Sequence, residues 1–414
     1  MSQPGDLISR NDARITIRDS LRRDNYRRVL ALLNEATGER GYREVELDFT
    51  DCAHAFPGPM LALCSRAIAL RESGVELKLL PPKRPKLAQL FRNSNWAHYL
   101  APAANELSRF RGHKHVPARV FDSSAEQTKA VNAILDVILR SMSGLHRADF
   151  AALEWSLNEI TDNVLTHAEA AAGGLVQVTT SERDRRRVEF VVCDGGATIP
   201  GTLRKSRRDI ASDQEALEWA VKEGVTRDPS VGQGNGLFGT MEICRQGQGT
   251  FHLDSRNARL ALSGSMLHMG QEKLPFPGTL VAASIDCSKP GILASALKFG
   301  GQPYAPEVTK LEAAPEGGLR FVLHEETASF GSRPAGLPVR TKLANLVAMS
   351  GTRKVVVDCS GVPIVSSSFA DEVFGKLFLE LGPLRFSEAV QIVEMSDLVR
   401  ALVDKALRQR MAGR

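Results

Sequence analysis

The sequence predicts an α/β protein built from several domains, and three observations lead there. A chain of 414 residues with 43% hydrophobic residues is long enough for two or three domains, each with its own core. Near both ends, strand-like and helix-like runs follow one another in the same order, strand–helix–strand–helix. The middle third carries a helix with a polar stripe, followed by two glycine-rich turns.

Near the N-terminus, residues 43–49 read as a strand, an apolar helix follows over about 60–70, then a strand over 75–79 and a helix near 86–92. Near the C-terminus, residues 354–358 read as a strand, 369–381 as a helix, 389–393 as a strand and 396–410 as a helix. Asp48 and Asp358 occupy matching places in this weak internal repeat. Short connections in such an order imply a small sheet with helices packed on it. Residues 109–124 are polar and read as a linker, residues 288–315 are rich in Gly and Pro and mark a second boundary, and residues 316–340 read as an opening hairpin of the last domain. The domains expected are therefore 13–108, 125–290 and 316–414.

In the middle, residues 157–168 read as a helix with Leu153, Leu157, Ile160 and Val164 on one apolar face. Glu159, Asn163 and His167 fall at i, i+4 and i+8 and share a neighbouring face. The amide oxygen of Asn163 suits Mg²⁺, a hard ion that prefers oxygen. Glu159 can take a proton from a group attacking a phosphate. Val188, Phe190 and Val192 then alternate as in a half-buried strand that ends at Asp194-Gly195-Gly196. A carboxylate there can accept a hydrogen bond from the exocyclic amine of adenine, and glycine lets the backbone approach a flat base. Gly232, Gly234 and Gly236 precede a helix over 237–244, where backbone N–H groups can cradle phosphates. No Gly-Lys-Ser/Thr follows, so this is not a Walker A loop.

In this order the motifs resemble the GHKL ATP-binding fold of gyrase, Hsp90, histidine kinases and MutL, over roughly residues 125–286. Glu159 and Asn163 match its N box, Asp194 and Gly196 its G1 box, Gly232, Gly234 and Gly236 its G2 box, and Gly278-Thr279 its closing Gly-Thr. Within that fold the stretch resembles the bacterial anti-sigma-factor serine kinases. They share His167-Ala168 after the N box and a lid that runs from an Ala-rich helix (216–221) through Gly224-Val225-Thr226 into the glycine loop. One position departs: Thr198 stands where the G1 box usually has a further glycine. The resemblance implies an α+β sandwich, with ATP held by Asn163, His167, Asp194, Gly196, Gly232, Gly234, Gly236, Leu237 and Thr279. It also implies Mg²⁺ on Asn163 and Glu159 as catalytic base. No histidine-phosphoacceptor helix pair is evident, which argues against a sensor histidine kinase.

Both flanks resemble STAS domains, the fold of anti-sigma-factor antagonists. Residues 355–372 resemble the strand, loop and helix start that carry the phosphorylatable serine, with Ser367 in the acceptor position, Ser366 in place of the usual Asp and Ser368 next. Serines before a helix are also good N-caps. The N-terminal copy has Ala55-Phe56-Pro57-Gly58-Pro59 at the corresponding place, so it has no acceptor hydroxyl there and is expected to bind or scaffold.

The net charge of +5 and pI near 8.9 permit acidic partners without demanding nucleic acid. With aromatics at 6%, no basic-aromatic groove is visible. The basic run 185–187 reads as a solvated hairpin tip, and Arg204-Lys205 with Arg207-Arg208 as a solvated lid loop. The cysteines lack metal-ligand spacing and read as core thiols; with no signal peptide or membrane-length apolar run, the cytoplasm is expected. Three activities share these residues: a serine protein kinase acting on a STAS-type serine in cis or trans, an ATPase used as an ATP-gated switch, and a module that holds nucleotide without turnover. The resemblance implies a STAS-domain or sigma-factor-like protein partner, and homodimers at family level.

Overall fold

A computed structural model describes residues 7–108, 114–170, 172–181, 186–225, 234–306, 308 and 318–412. The chain is mixed α/β, as expected. Gly232, Thr226 and, of the basic tip at 185–187, Arg185 lie outside the described residues.

The N-terminal sheet has the order Ile8–Asn11, Arg14–Ile17, Glu44–Asp48, Glu76–Leu80. The first pair is antiparallel and the rest are parallel. The apolar helix of this region starts earlier than the periodicity suggests, at Pro57–Glu72, because Pro57 pre-sets the helical φ of the first turn. It is apolar nearly all round, with Met60, Leu61, Leu63, Cys64, Ala67 and Leu70 all buried. Such a helix must be covered on more than one side. It lies between its own sheet and the central one.

The central sheet has five antiparallel strands in the order Thr250–Ser263, Met266–Asp286, Arg187–Asp194, Gly174–Ser181, His115–Phe121. Helices Ser124–Ser141, Arg147–His167 and Gly236–Gln246 pack on one face. Val188, Phe190 and Val192 point into that core, as the alternation requires. The expectation of a half-buried strand is nonetheless wrong. Val191 and Cys193 point the other way and are 7% and 0% exposed, because they join the core of the N-terminal unit with Leu175, Phe276 and Leu280. A strand covered on both faces loses its alternation.

A buried carboxylate fastens the two units together. Asp254, 1% exposed, accepts hydrogen bonds from Arg23 Nε (3.2 Å) and Nη2 (2.8 Å), from Arg259 Nε (3.1 Å) and from the Tyr26 hydroxyl (3.2 Å). Arg27 adds a bond to the carbonyl of Leu274 (2.9 Å). Burial alone would raise the Asp254 carboxyl, but Arg23, Arg259 and Arg27 overcome it and hold it below the ordinary value.

At the C-terminal end, strands Leu319–Val322, Val355–Asp358 and Val390–Val393 form a parallel three-stranded sheet. The opening hairpin expected over 316–340 is not what forms. A strand is followed by a short helix, Leu323–Glu326, and then by the long helix Arg333–Met349. Here Pro334 lies in the first turn, Ser332 caps the helix by accepting from Ala335 N (3.4 Å), and the burial of Val339, Leu343 and Val347 outweighs the one bond lost at Pro338. This helix docks on Ser124–Ser141 through Asn345, which is 1% exposed. Asn345 donates to the carbonyls of Leu139 (2.8 Å) and Met142 (2.6 Å) and accepts from Leu145 N (3.2 Å).

The cysteines are free and buried, as expected of core thiols. Among the described residues no helix is long and apolar enough to cross a membrane.

Replacing Asp254 with Ala would leave its arginines buried without a counter-charge. It should cost about 3–5 kcal/mol, measured as a lower urea midpoint. Asn345→Leu should cost about 1–3 kcal/mol by stranding the Leu145 N–H and two helix-end carbonyls.

Candidate functional site

The helix Arg147–His167 carries Leu153, Leu157 and Ile160 into the core, and that orientation turns Glu159, Asn163 and His167 into a pocket. Counting solvent at its mouth, the pocket holds roughly 1030 Å³, large enough for a nucleotide-sized ligand. Glu159, Asn163, His167, Asp194, Gly234, Gly236, Leu237 and Thr279 all line it. These residues span more than a hundred positions of sequence, and three separate motifs meet in one cavity.

Asp194 ends its strand directly opposite Thr279 and is 3% exposed. Its Oδ1 accepts from Gly196 N (2.9 Å). Burial pushes its carboxyl up to about 7, and the N–H groups of Gly196 and Thr279 only partly oppose the rise. Among the described residues no arginine or lysine pairs with it, unlike Asp254. Gly196 does not line the cavity; it packs against the carbonyl of Ala168, which also accepts from Ala197 N. A Cβ at Gly196 would overlap that carbonyl, so the glycine is what lets the Asp194 turn close onto the end of the long helix. At Gly236 a Cβ would stand 2.8 Å from Glu159 Oε2 and 3.4 Å from Asn163 Nδ2, so the glycine loop reaches the two polar side chains at van der Waals distance. Burial, with Asp162 beside it, raises the Glu159 carboxyl.

The apolar walls were not singled out from sequence as part of a site. Val192 and Val281 form the floor on the sheet, Ile160, Val164 and Ala168 one side, and Ile199, Thr202 and Leu203 the other. Ser255 is a further omission. Its hydroxyl accepts from Ile199 N (3.0 Å) and donates to the carbonyl of Gly278 (2.8 Å), fastening the start of the lid to the Gly278-Thr279 turn. No local motif marks it; a bulge after Ser255 in its long hairpin is the only trace, and that is visible only in the register.

Thr198, the departure from the usual glycine, has a structural reason. Its hydroxyl accepts from Gly201 N (3.2 Å) and caps the helix Ile199–Ser206. The basic stretch beyond it is therefore helix in part, and not simply a solvated loop. Arg204 is tied to Asp213 (2.8 Å), and Arg207 lies 3.6 Å over the Trp219 ring. The second lid helix begins at Asp213, not Ala216, because Ser212 accepts from Glu215 N (3.0 Å) while the Glu215 carboxylate reaches back to Ala211 N (2.8 Å). Asn235 accepts from Gly224 N (3.0 Å), joining the lid to the glycine loop. Of the basic tip, Arg186 donates to the carbonyl of Gly144 (3.2 Å) and Arg187 to Ser284 Oγ (3.1 Å), so neither is merely solvated.

Ser367 is not in the pocket; no residue beyond Val281 lines it. Ser366 supplies the helix cap, accepting from Phe369 N (3.0 Å), while Ser367 stands exposed in the first turn.

Residues 335–400 match the family described as a STAS-like domain of unknown function (DUF4325). No curated protein matches the chain. Among solved structures the chain is similar to the histidine kinase domain of the blue-light-activated histidine kinase EL346 of Erythrobacter litoralis. The identity is 16%, over 41% of this chain and 63% of that one, with a TM-score of 0.21. A superposition that poor carries no argument.

With a native value near 7 against 3.8 in the open chain, Asp194 binds more protons folded than unfolded across that interval. Its contribution therefore falls as pH rises from about 4 to about 7. Urea unfolding over that range should show a flatter pH profile in Asp194→Asn than in the native protein.

Proposed function

We propose that this chain is an ATP-binding signalling regulator whose central domain is of the GHKL type and acts as a serine protein kinase. The observation that carries the reading is Asp194. A carboxylate 3% exposed, lacking a cationic partner and lining an apolar-walled pocket, suits a buried hydrogen-bond donor such as an adenine amine. The other residues fit the rest of the nucleotide. Val192, Val281, Ile160 and Leu203 provide flat apolar contact for a base, and the backbone from Gly234 to Leu237 opens the helix Gly236–Gln246, whose N-terminal end favours phosphate. The amide oxygen of Asn163 and the neighbouring Glu159 form an oxygen donor set of the kind Mg²⁺ accepts.

Bound ATP with Mg²⁺ would supply the phosphoryl group and neutralise its charge. The chain's own residues supply orientation and a base. Asp194 and Thr279 hold the purine, the lid helices exclude water, and Glu159, with its raised carboxyl, takes the proton of the attacking serine hydroxyl. The acceptor is a STAS-type serine. The C-terminal helix Arg333–Met349 docks at the Met142–Leu145 turn, before the start of Arg147–His167, whereas Glu159 and Asn163 lie in that helix's C-terminal half. Transfer to a STAS-type serine on another protein or another copy therefore fits the docked arrangement better than transfer to Ser367 in the same copy. An added phosphate brings up to about two negative charges, enough to break a docked interface.

Incubation with γ-labelled ATP, Mg²⁺ and the protein decides the activity. Label on protein supports transfer, release of free phosphate alone supports an ATPase switch, and no measurable nucleotide affinity overturns the proposal. Asn163→Ala should abolish turnover. Glu159→Gln should retain ATP binding while lowering turnover by about 10²–10⁴-fold. Because the adenine donor favours ionised Asp194, ATP affinity should climb as pH rises toward about 7 and level off above it.

A further inference from the structure

A second cleft lies on the opposite face of the same strands. Successive residues of a strand point to opposite sides. Val192, Asp194, Thr279 and Val281 line the first pocket, while Val191, Leu280, Ala282 and Ser284 line the second. Its volume is roughly 1120 Å³, counting solvent at the mouth.

The floor is polar where the rest of this sheet face is apolar. Under the N-terminal unit the face carries Leu175, Val191, Cys193 and Leu280, all buried. In the cleft Gln177, Thr179, Thr250, His252 and Ser284 stand beside Val191, Leu280 and Ala282. Gln177 is only 2% exposed and held in place, since its Oε1 accepts from the buried indole of Trp96 (2.8 Å). His252 is neutral near pH 7, because burial and Arg23 pull it down to about 4; it offers hydrogen bonding and no charge. Ser284 is shared between Arg187 (3.1 Å) and Glu189 (3.5 Å) at the rim.

The roof is a flat, stiff apolar wall. Phe56, Pro57 and Pro59 begin the helix Pro57–Glu72, and Phe56 is 48% exposed at the mouth. The cleft closes inward at Gly58, where an added Cβ would be 3.9 Å from Leu280 Cδ2, and opens outward toward Phe56. Arg22 stands exposed at one side, whereas the neighbouring Arg23 is neutralised by Asp254. A rigid proline-aromatic roof over a polar floor, with exposed Arg22 at one edge and exposed Glu189 beside Ser284, suits a slab-shaped ligand with a polar edge and a negative substituent directed to Arg22.

We propose that this cleft is a second ligand site, for a flat, mainly apolar ring compound carrying one anionic group, seated between Phe56 and the Gln177–Ser284 floor. The ring stacks under Phe56 and the prolines, its polar edge meets Gln177 and Thr179, and its anion meets Arg22.

The probe is 8-anilinonaphthalene-1-sulfonate, titrated into the full chain without nucleotide and followed by fluorescence. The expected result is one saturable site that persists when ATP and Mg²⁺ are added. Ala282→Phe fills the cleft from the floor and should weaken binding by about tenfold or more. Phe56→Asp and Arg22→Glu act from the roof and the rim, and each should weaken it by about threefold to tenfold, the loss of about one good contact. Circular dichroism and the thermal midpoint confirm that each variant is folded; if Ala282→Phe is not, the two exposed positions decide. The proposal is overturned if binding never saturates, if folded variants bind as tightly as the native chain, or if ATP with Mg²⁺ displaces the probe completely while the variants have no effect. The variants separate this proposal from the nucleotide reading, on which it does not rest, since Ala282, Phe56 and Arg22 line the second cleft and not the first pocket.

Discussion

Two adjacent strands, Arg187–Asp194 and Met266–Asp286, are covered on both faces, and the rest of the molecule is organised by that constraint. One set of side chains seals the helical layer and the other seals the N-terminal unit. A shift of one residue in register would exchange the two sets and place Asp194 in the wrong core. The pairing of Asp194 with Thr279 is thereby specified from both sides, and the position of the pocket follows from it.

Asp254 and Asp194, two buried carboxylates of the central sheet, meet the same desolvation in opposite ways. Asp254 faces the N-terminal unit and is surrounded by Arg23, Arg27 and Arg259; attraction overcomes burial and the group stays ionised. Asp194 faces the pocket with only backbone N–H groups for company, and burial wins. The first is an internally completed fastening between units. The second is a buried acceptor without a cationic partner among the described residues, the contrast on which the proposed ligand site rests. Both are about equally buried, so the contrast comes from charge placement and not from depth.

The C-terminal unit shares the apolar core of the central helices and adds directed polar bonds to it. Its helix Arg333–Met349 meets Ser124–Ser141 through Asn345, which satisfies a backbone N–H and two carbonyls at the end of that helix, and through Lys342, which pairs with Glu326 (2.8 Å) and Asp136 (2.9 Å). These directed bonds lie within an apolar contact, since Ile134, Leu135 and Ile138 share one core with Val339, Leu343 and Leu346, and they specify one docking geometry. Ser367 lies in this unit and is exposed, so a phosphate there would be added without unfolding the helix that carries it.

Much of this was legible in the order of residues. The mixed α/β class, the polar stripe of Glu159, Asn163 and His167, and the helix after Gly236 rest on periodicity and turn chemistry, which act over a few residues. The hairpin expected over 316–340 gave way to the helix Arg333–Met349, whose buried face outweighs Pro338 inside it. The doubly covered strand, the Ser255 link between lid and Gly278, and the raised carboxyl of Asp194 could not be read at all. Each depends on which distant segment lies alongside: helix Pro57–Glu72 over Val191, Ile199 beside Ser255, and the lack of any cation near Asp194. Sequence by itself determined which groups the pocket has to offer. Tertiary structure alone decided how deeply they are buried and what neutralises them, because desolvation and Coulomb interaction depend on distance in space and not on separation along the chain.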